Sequence, residues 1–287
     1  MRLLLVIALA LTSSWLQAQA EWPRPTWKKV EALACRESGP TVLTSVGNYK
    51  VRLAPVPTSQ SGVPLCRAYL IDSLGRETFL YEDRTLSIYE GTGQHIFGDG
   101  NPALILEGRS GDACCYTYKL VSLGEPPLLL PAIENEAPFF FFHDPASHEY
   151  RIMTSDGGFH NFDGLCFACS PFPRVALKVG RSGLHDVSPE FSEQYDSEIA
   201  LARAKIAEGS IEKFLEADFR DARKVVLEIV LSYLYSGREK QAWETLEEMW
   251  PAKDRERMKQ LIIQTRAKGI LSRLEATRPE LAAAHTQ

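Results

Sequence analysis

The sequence predicts an α+β protein in two parts, a mostly antiparallel β domain followed by an all-α helical domain. Three observations predict it. Between about Asn48 and Val179, short runs rich in β-branched and aromatic residues are separated by turn residues, and several alternate in polarity with period two. From about Pro189 the apolar residues recur at helical spacing instead. All six cysteines, Cys35, Cys66, Cys114, Cys115, Cys166 and Cys169, precede this change of period.

The first segment, MRLLLVIALALTSSWLQAQA, reads as a secretory signal: Arg2, an apolar run from Leu3 to Leu11, and small residues at Ala18 and Ala20. That run falls well short of the roughly 20 residues needed to span a bilayer. The expected organisation is a signal peptide over 1–20, a β domain over 21–182, a helical domain over 183–278 and a flexible tail over 279–287. Without the signal, 287 − 20 = 267 residues remain, carrying 31 basic and 37 acidic side chains, since Arg2 is the only charge lost. A net charge of 31 − 37 = −6 gives no electrostatic footprint for nucleic acid. The expected product is exported, periplasmic or extracellular, and not membrane-embedded.

Taken in order, the strands are NYKVRLAP (48–55), LCRAYLID (65–72), ETFLYEDRT (77–85), ALILEGRS (103–110), CYTYKLVSL (115–123), EYRIMTSD (149–156) and PRVALKVG (173–180). In 116–123, Tyr116, Tyr118, Leu120 and Ser122 share one face and Thr117, Lys119, Val121 and Leu123 the other. Turn chemistry separates the runs at SLG (73–75), GDGNP (98–102), GEPP (124–127) and SDGG (155–158). The run FFFF at 139–142 predicts a strand buried on both faces.

Beyond Ser188-Pro189, a cap followed by a first-turn proline, a helix is expected as far as Gly209. Ser210 caps a short second helix, IEKFLEA, and Asp218 a third that stops at Gly237 with an apolar stripe of Val226, Ile229, Val230, Tyr233 and Leu234. REKQAWETLEEMW follows as far as Pro251, then one long helix from Ala252 to about Ala276.

The even cysteine count in an exported chain predicts disulfides. Adjacent residues of a strand point to opposite faces, so Cys114 and Cys115 are expected to leave in two directions, with Cys66 and Cys35 as partners. The alternative is a Cys114–Cys115 ring, which would leave Cys35 to pair with Cys66. Cys166-Phe-Ala-Cys169 reads as a local structural disulfide. A thiol oxidoreductase would need a helix starting at the first cysteine, and Pro171 and Pro173 oppose one. A hydrolase drawn from His143, His148 and His160 with Asp144, Asp156 and Asp163 is the other enzymatic alternative; no Gly-x-Ser-x-Gly or His-Glu-x-x-His motif supports it.

Tyr233, Gly237, Ala242 and Leu246 stand at spacings that resemble a tetratricopeptide hairpin, Gly237 allowing the turn and Ala242 a close helix approach. The stretch IFGDGNPALILEGRSGDACCYTYKLVSL resembles bacterial exported proteins with integrin-like (FG-GAP or VCBS-type) β modules. It carries their Gly98-Asp99-Gly100 turn, the strand Leu104 to Glu107 and the signature Ser110 to Cys115. The resemblance covers roughly 48–180 and implies a meander related to propeller blades, with no common enzymatic activity. The calcium loop of such modules is degenerate here, since neither Asp99 nor Asp144 starts a run of alternating carboxylates. No metal or cofactor is therefore expected. The reading is a non-enzymatic binding or scaffold protein of the envelope, with an unknown protein or glycan partner.

Overall fold

A computed structural model describes residues 20–27, 29–36, 39–56, 65–111, 115–208 and 220–276. Its fourteen described strands form three sheets, and every pair is antiparallel. Strand β1 (Lys29–Cys35) joins the middle sheet, whereas β2 (Val42–Val46), β3 (Tyr49–Val56), β4 (Leu65–Ile71) and β5 (Glu77–Asp83) make the first sheet, a sequential meander. The middle sheet continues with β6 (Thr85–Tyr89), β7 (Ala103–Arg109), β8 (Tyr116–Ser122), β9 (Leu128–Leu129) and β10 (Ile133–Asn135). Its order is β1-β6-β7-β8-β10, with β9 also on β8. The third sheet is again a meander: β11 (Phe140–Asp144), β12 (Glu149–Ser155), β13 (Arg174–Gly180) and β14 (Gly183–Asp186).

Why the middle sheet lies in the middle is written in β7. Ala103, Leu104, Ile105 and Leu106 are apolar at successive positions, so both faces must be covered. Leu104 and Leu106, with Val121 and Leu123, pack on Val51, Leu53 and Leu70 of the first sheet. Ala103 and Ile105, with Tyr118 and Leu120, belong to the core shared with the third sheet and the helices. The alternation expected in 116–123 is thus real, but both of its faces are apolar environments. Glu107 is the polar exception and is satisfied: the hydroxyls of Tyr89 and Tyr118 each donate to its Oε2 at 2.8 Å. Burial pushes both phenols well above their ordinary pKa, and the neighbouring Glu107 charge adds to the rise.

After β14 a 3-10 turn, Ser188–Phe191, leads into α1 (Ser192–Glu208). Then come α2 (Arg220–Tyr235), α3 (Glu239–Met249), α4 (Arg255–Arg266) and α5 (Ile270–Ala276). The expected helix at 211–217 and the tail lie outside the described residues. The α2–α3 turn is a Schellman closure, with Arg238 N–H on Tyr233 O (2.8 Å) and Gly237 N–H on Leu234 O (3.2 Å). Gly237 has φ +79°, which a glycine adopts without strain. Ala242 and Leu246 are buried in the same core as Val226, Ile229, Phe141 and Leu177, so sheet and helices share continuous packing. The expected boundary at 182/183 falls in the turn between β13 and β14, leaving β14 on its helical side.

Two expectations are corrected here. The single long helix over 252–276 is broken into α4 and α5 at Lys268-Gly269. A Cβ on Gly269 would lie 2.0 Å from Asp156 Oδ2, so the chain turns there to bring the Ile270 N–H onto that buried carboxylate. The run 139–142 is not buried throughout: Phe139, Phe141 and Phe142 are, whereas Phe140 is 38% exposed. Beyond β11, the N-terminal segment covers the strand's free edge, Thr26 N–H donating to Phe141 O at 2.7 Å. Trp27 seals it against Phe141 and Tyr150, above Gly91, where any side chain would collide with the indole.

Candidate binding cleft

Ser170-Pro171-Phe172-Pro173 cannot continue a helix and runs extended into β13. It forms one wall of a cleft whose other walls are helical. From α1 come Glu198, Leu201, Ala202 and Lys205, spaced i, i+3, i+4, i+7 on one face; α2 adds Glu228, Leu231 and Ser232. The hollow has a volume of about 280 Å³. Through Arg174, Glu198 and Leu201 it adjoins a second hollow of about 450 Å³, walled by the chain's own segment Ala20 to Pro25.

That segment shows what the groove accepts. The Trp22 indole N–H donates to Glu198 Oε1 at 2.8 Å, and its ring stacks on Phe191 and meets Tyr195 edge-on. The Arg174 guanidinium lies 5.4 Å over the same ring and pairs with Glu198 at 2.7 Å. Tyr195 holds this strand end by donating to Arg174 O at 2.6 Å. Burial pushes the Glu198 carboxyl above its ordinary pKa, opposed by Arg174 and the indole bond. Glu228 is also raised by burial, opposed by Lys224 at 3.9 Å and by Lys205. Each acid is thus countered by a neighbouring cation, and no cysteine or histidine stands among the described lining residues. The lining is thus mixed, with two charge-countered carboxylates beside the apolar Leu201, Ala202 and Leu231.

The cysteines lie elsewhere. Cys35 and Cys66 are bonded to each other, joining β1 of the middle sheet to β4 of the first; both are fully buried. This corrects the expectation that Cys66 and Cys35 would serve Cys114 and Cys115. Cys115 is itself disulfide-bonded, and Cys114 lies outside the described residues. The premise failed because Cys115 is not in a strand: β8 begins at Tyr116, and Cys115 sits in the β7–β8 loop with φ +70°. Cys166 and Cys169 form a second disulfide around one 3-10 turn, Phe167–Cys169, after which the chain is extended.

The histidines and acids of 143–163 do not converge. His143 and Asp144 end β11 and His148 lies in the turn that follows, where Asp144 accepts from Ala146 N–H and the Ser147 hydroxyl. His160 Nδ1 lies 3.0 Å from Glu136, between Phe167 and Phe172. Asp156 is buried against α2 and α5, and Asp163 is held by Arg223 and Arg257. Of the hairpin residues, Ala242 and Leu246 are core, Tyr233 is partly buried against it, and Gly237 closes the turn. Glu198, Glu228, Arg174 and Trp22 carry no sequence signal of a site; in the structure Leu201 beside them is left 46% exposed.

Comparison of the chain with known protein families, with curated proteins and with solved structures found no match.

Proposed function

We propose that this chain is an exported, non-enzymatic binding or scaffold protein whose partner, a protein or a glycan, docks in the cleft between Pro171–Arg174 and helices α1 and α2. The observation that carries this reading is the pair of adjoining hollows, one of them walled by the chain's own Trp-Pro-Arg-Pro segment. Disulfides are compatible with an oxidising compartment, and no helix among the described residues is long and apolar enough to cross a membrane. Two sequential four-stranded meanders, each sharing a core with a middle sheet, support kinship with blade-type modules; the α2–α3 hairpin supports a tetratricopeptide-like one.

The test compares retention of envelope components by the immobilised chain with that of Leu201→Arg and Glu228→Lys. A partner retained by the wild type and by Leu74→Arg, on the distant β4–β5 turn, should be weakened by on the order of tenfold in both cleft variants, the loss of one well-placed contact. Equal retention by all four proteins would refute the cleft as the docking site.

A further inference from the structure

The described disulfides differ sharply in access. Cys35 and Cys66 are each 0% exposed within the core between the first and middle sheets. Cys166 is exposed and Cys169 partly so, at the tip of a surface turn with Phe167 44% exposed between them. Cys169 N–H donates to Cys166 Sγ at 3.2 Å, a bond that favours negative charge on that sulfur.

The turn is wired to the cleft in two ways. Phe167 packs on Phe172, ring centroids 5.4 Å apart, and Phe172 is cleft wall. Ala168 O accepts from Lys224 Nζ at 3.1 Å, and the same ammonium lies 3.9 Å from the cleft carboxylate Glu228. Ser170, fully buried, bridges the turn to the preceding loop by accepting from Phe162 N–H and donating to Cys166 O.

We propose that Cys166–Cys169 is a thiol–disulfide exchange site open to an external dithiol, and that its reduction loosens the wall of the cleft. One thiolate of the dithiol attacks Cys169 Sγ, forming a mixed disulfide and expelling Cys166 as a thiolate, which the Cys169 N–H stabilises until solvent protonates it. The second thiol of the reagent then attacks the reagent's own bonded sulfur, releasing Cys169, which takes up the second proton. Two electrons pass from the dithiol, which ends as a disulfide, to the protein, which ends with two thiols. Ala168 O and Phe167 are then no longer held by a closed ring, which frees Lys224 for Glu228 and leaves Phe172 supported by His160 alone of the two rings now packed on it. The regulatory half of this proposal rests on the cleft being the binding site.

The chemistry is read by treating the folded chain with limiting dithiothreitol, trapping with N-ethylmaleimide and mapping peptides. Cys166 and Cys169 should label faster than Cys35 and Cys66 by on the order of tenfold or more, since exchange needs access to sulfur. Equal rates, or no labelling at Cys166 and Cys169 before unfolding, would overturn it. The coupling is read without any ligand, by hydrogen exchange of the dithiol-treated chain and of the Cys166→Ser/Cys169→Ser double variant. Amides of Phe167 to Arg174 and of α2 around Glu228 should exchange faster while α3 and the first sheet do not change. Unchanged exchange there, with Cys166 and Cys169 reduced, would sink the coupling. Failure of the cleft variants to affect partner retention would instead sink the docking reading and leave the exchange site standing.

Discussion

Replacing Asp156 by alanine should be among the most damaging single changes in the protein. Asp156 is 1% exposed, follows β12 directly and reaches into the helices. Its Oδ2 accepts from the Tyr235 hydroxyl at 2.6 Å; its Oδ1 accepts from Gly158 N–H at 3.0 Å and Ile270 N–H at 3.3 Å. Tyr235 and Ile270 are themselves buried, so Asp156→Ala leaves two donors without water or partner. Each orphaned group costs about 1–3 kcal/mol, and removal of a buried carboxylate's own desolvation returns part of that. The expected net loss is about 3–4 kcal/mol, a large share of the 5–15 kcal/mol of a typical fold. Asp156→Asn keeps one oxygen for the two backbone N–H groups and should cost about half as much. Urea denaturation followed by far-ultraviolet circular dichroism measures both, and a cycle with Tyr235→Phe isolates the hydroxyl bond. An Asp156→Ala loss below about 0.5 kcal/mol, the level of an ordinary surface substitution, would mean that Tyr235 and Ile270 do not depend on this carboxylate.

Three further outcomes follow from the same packing. Gly269→Ala should cost about 1–3 kcal/mol in the same urea assay despite alanine's better helix propensity, because its Cβ would overpack against Asp156 Oδ2, 2.0 Å away. Cys66→Ser should lower stability by about 2–4 kcal/mol and free Cys35 rather than Cys115, which thiol mapping of the folded variant would show. Glu228→Gln should raise the urea midpoint near neutral pH. The folded-state pKa of Glu228 lies above its unfolded value, so the folded form holds its proton longer and stability from this group falls as pH rises through that interval. The gain over wild type should disappear below about pH 4, where the ordinary glutamate is also protonated. A gain that persists in acid would show that packing, not charge, is responsible.

Much of the fold was legible because it is local. Runs such as YKVRLAP and EYRIMTSD alternate or are bounded by turn residues, and β3, β4, β5, β7, β8, β12 and β13 stand where those runs do. What was not legible is long-range. Strands β1 and β6 pair across some fifty residues of chain, and nothing near Lys29 names Tyr89 as its partner. The α4–α5 break depends on Asp156, more than a hundred positions away, so the helical period of 252–276 gave no hint of it. The paired cysteines differ from the strand expectation for a related reason: β8 begins only at Tyr116, and Cys115 before it has φ +70°. The cleft was hidden because its residues carry no catalytic pattern. Glu198, Arg174 and Trp22 meet only when the N-terminal segment crosses β13 and α1.

The docking claim is tested most directly by placing a photo-crosslinking amino acid at Leu201, on the cleft, and separately at Leu74, which is more exposed (76% against 46%) but distant on the β4–β5 turn. Both proteins are irradiated in cells that produce the full chain, and adducts are resolved by mass. A discrete adduct is expected from position 201, lost when Glu228→Lys is added, and none from position 74. No adduct at 201, or adducts of equal yield at both positions, would contradict it.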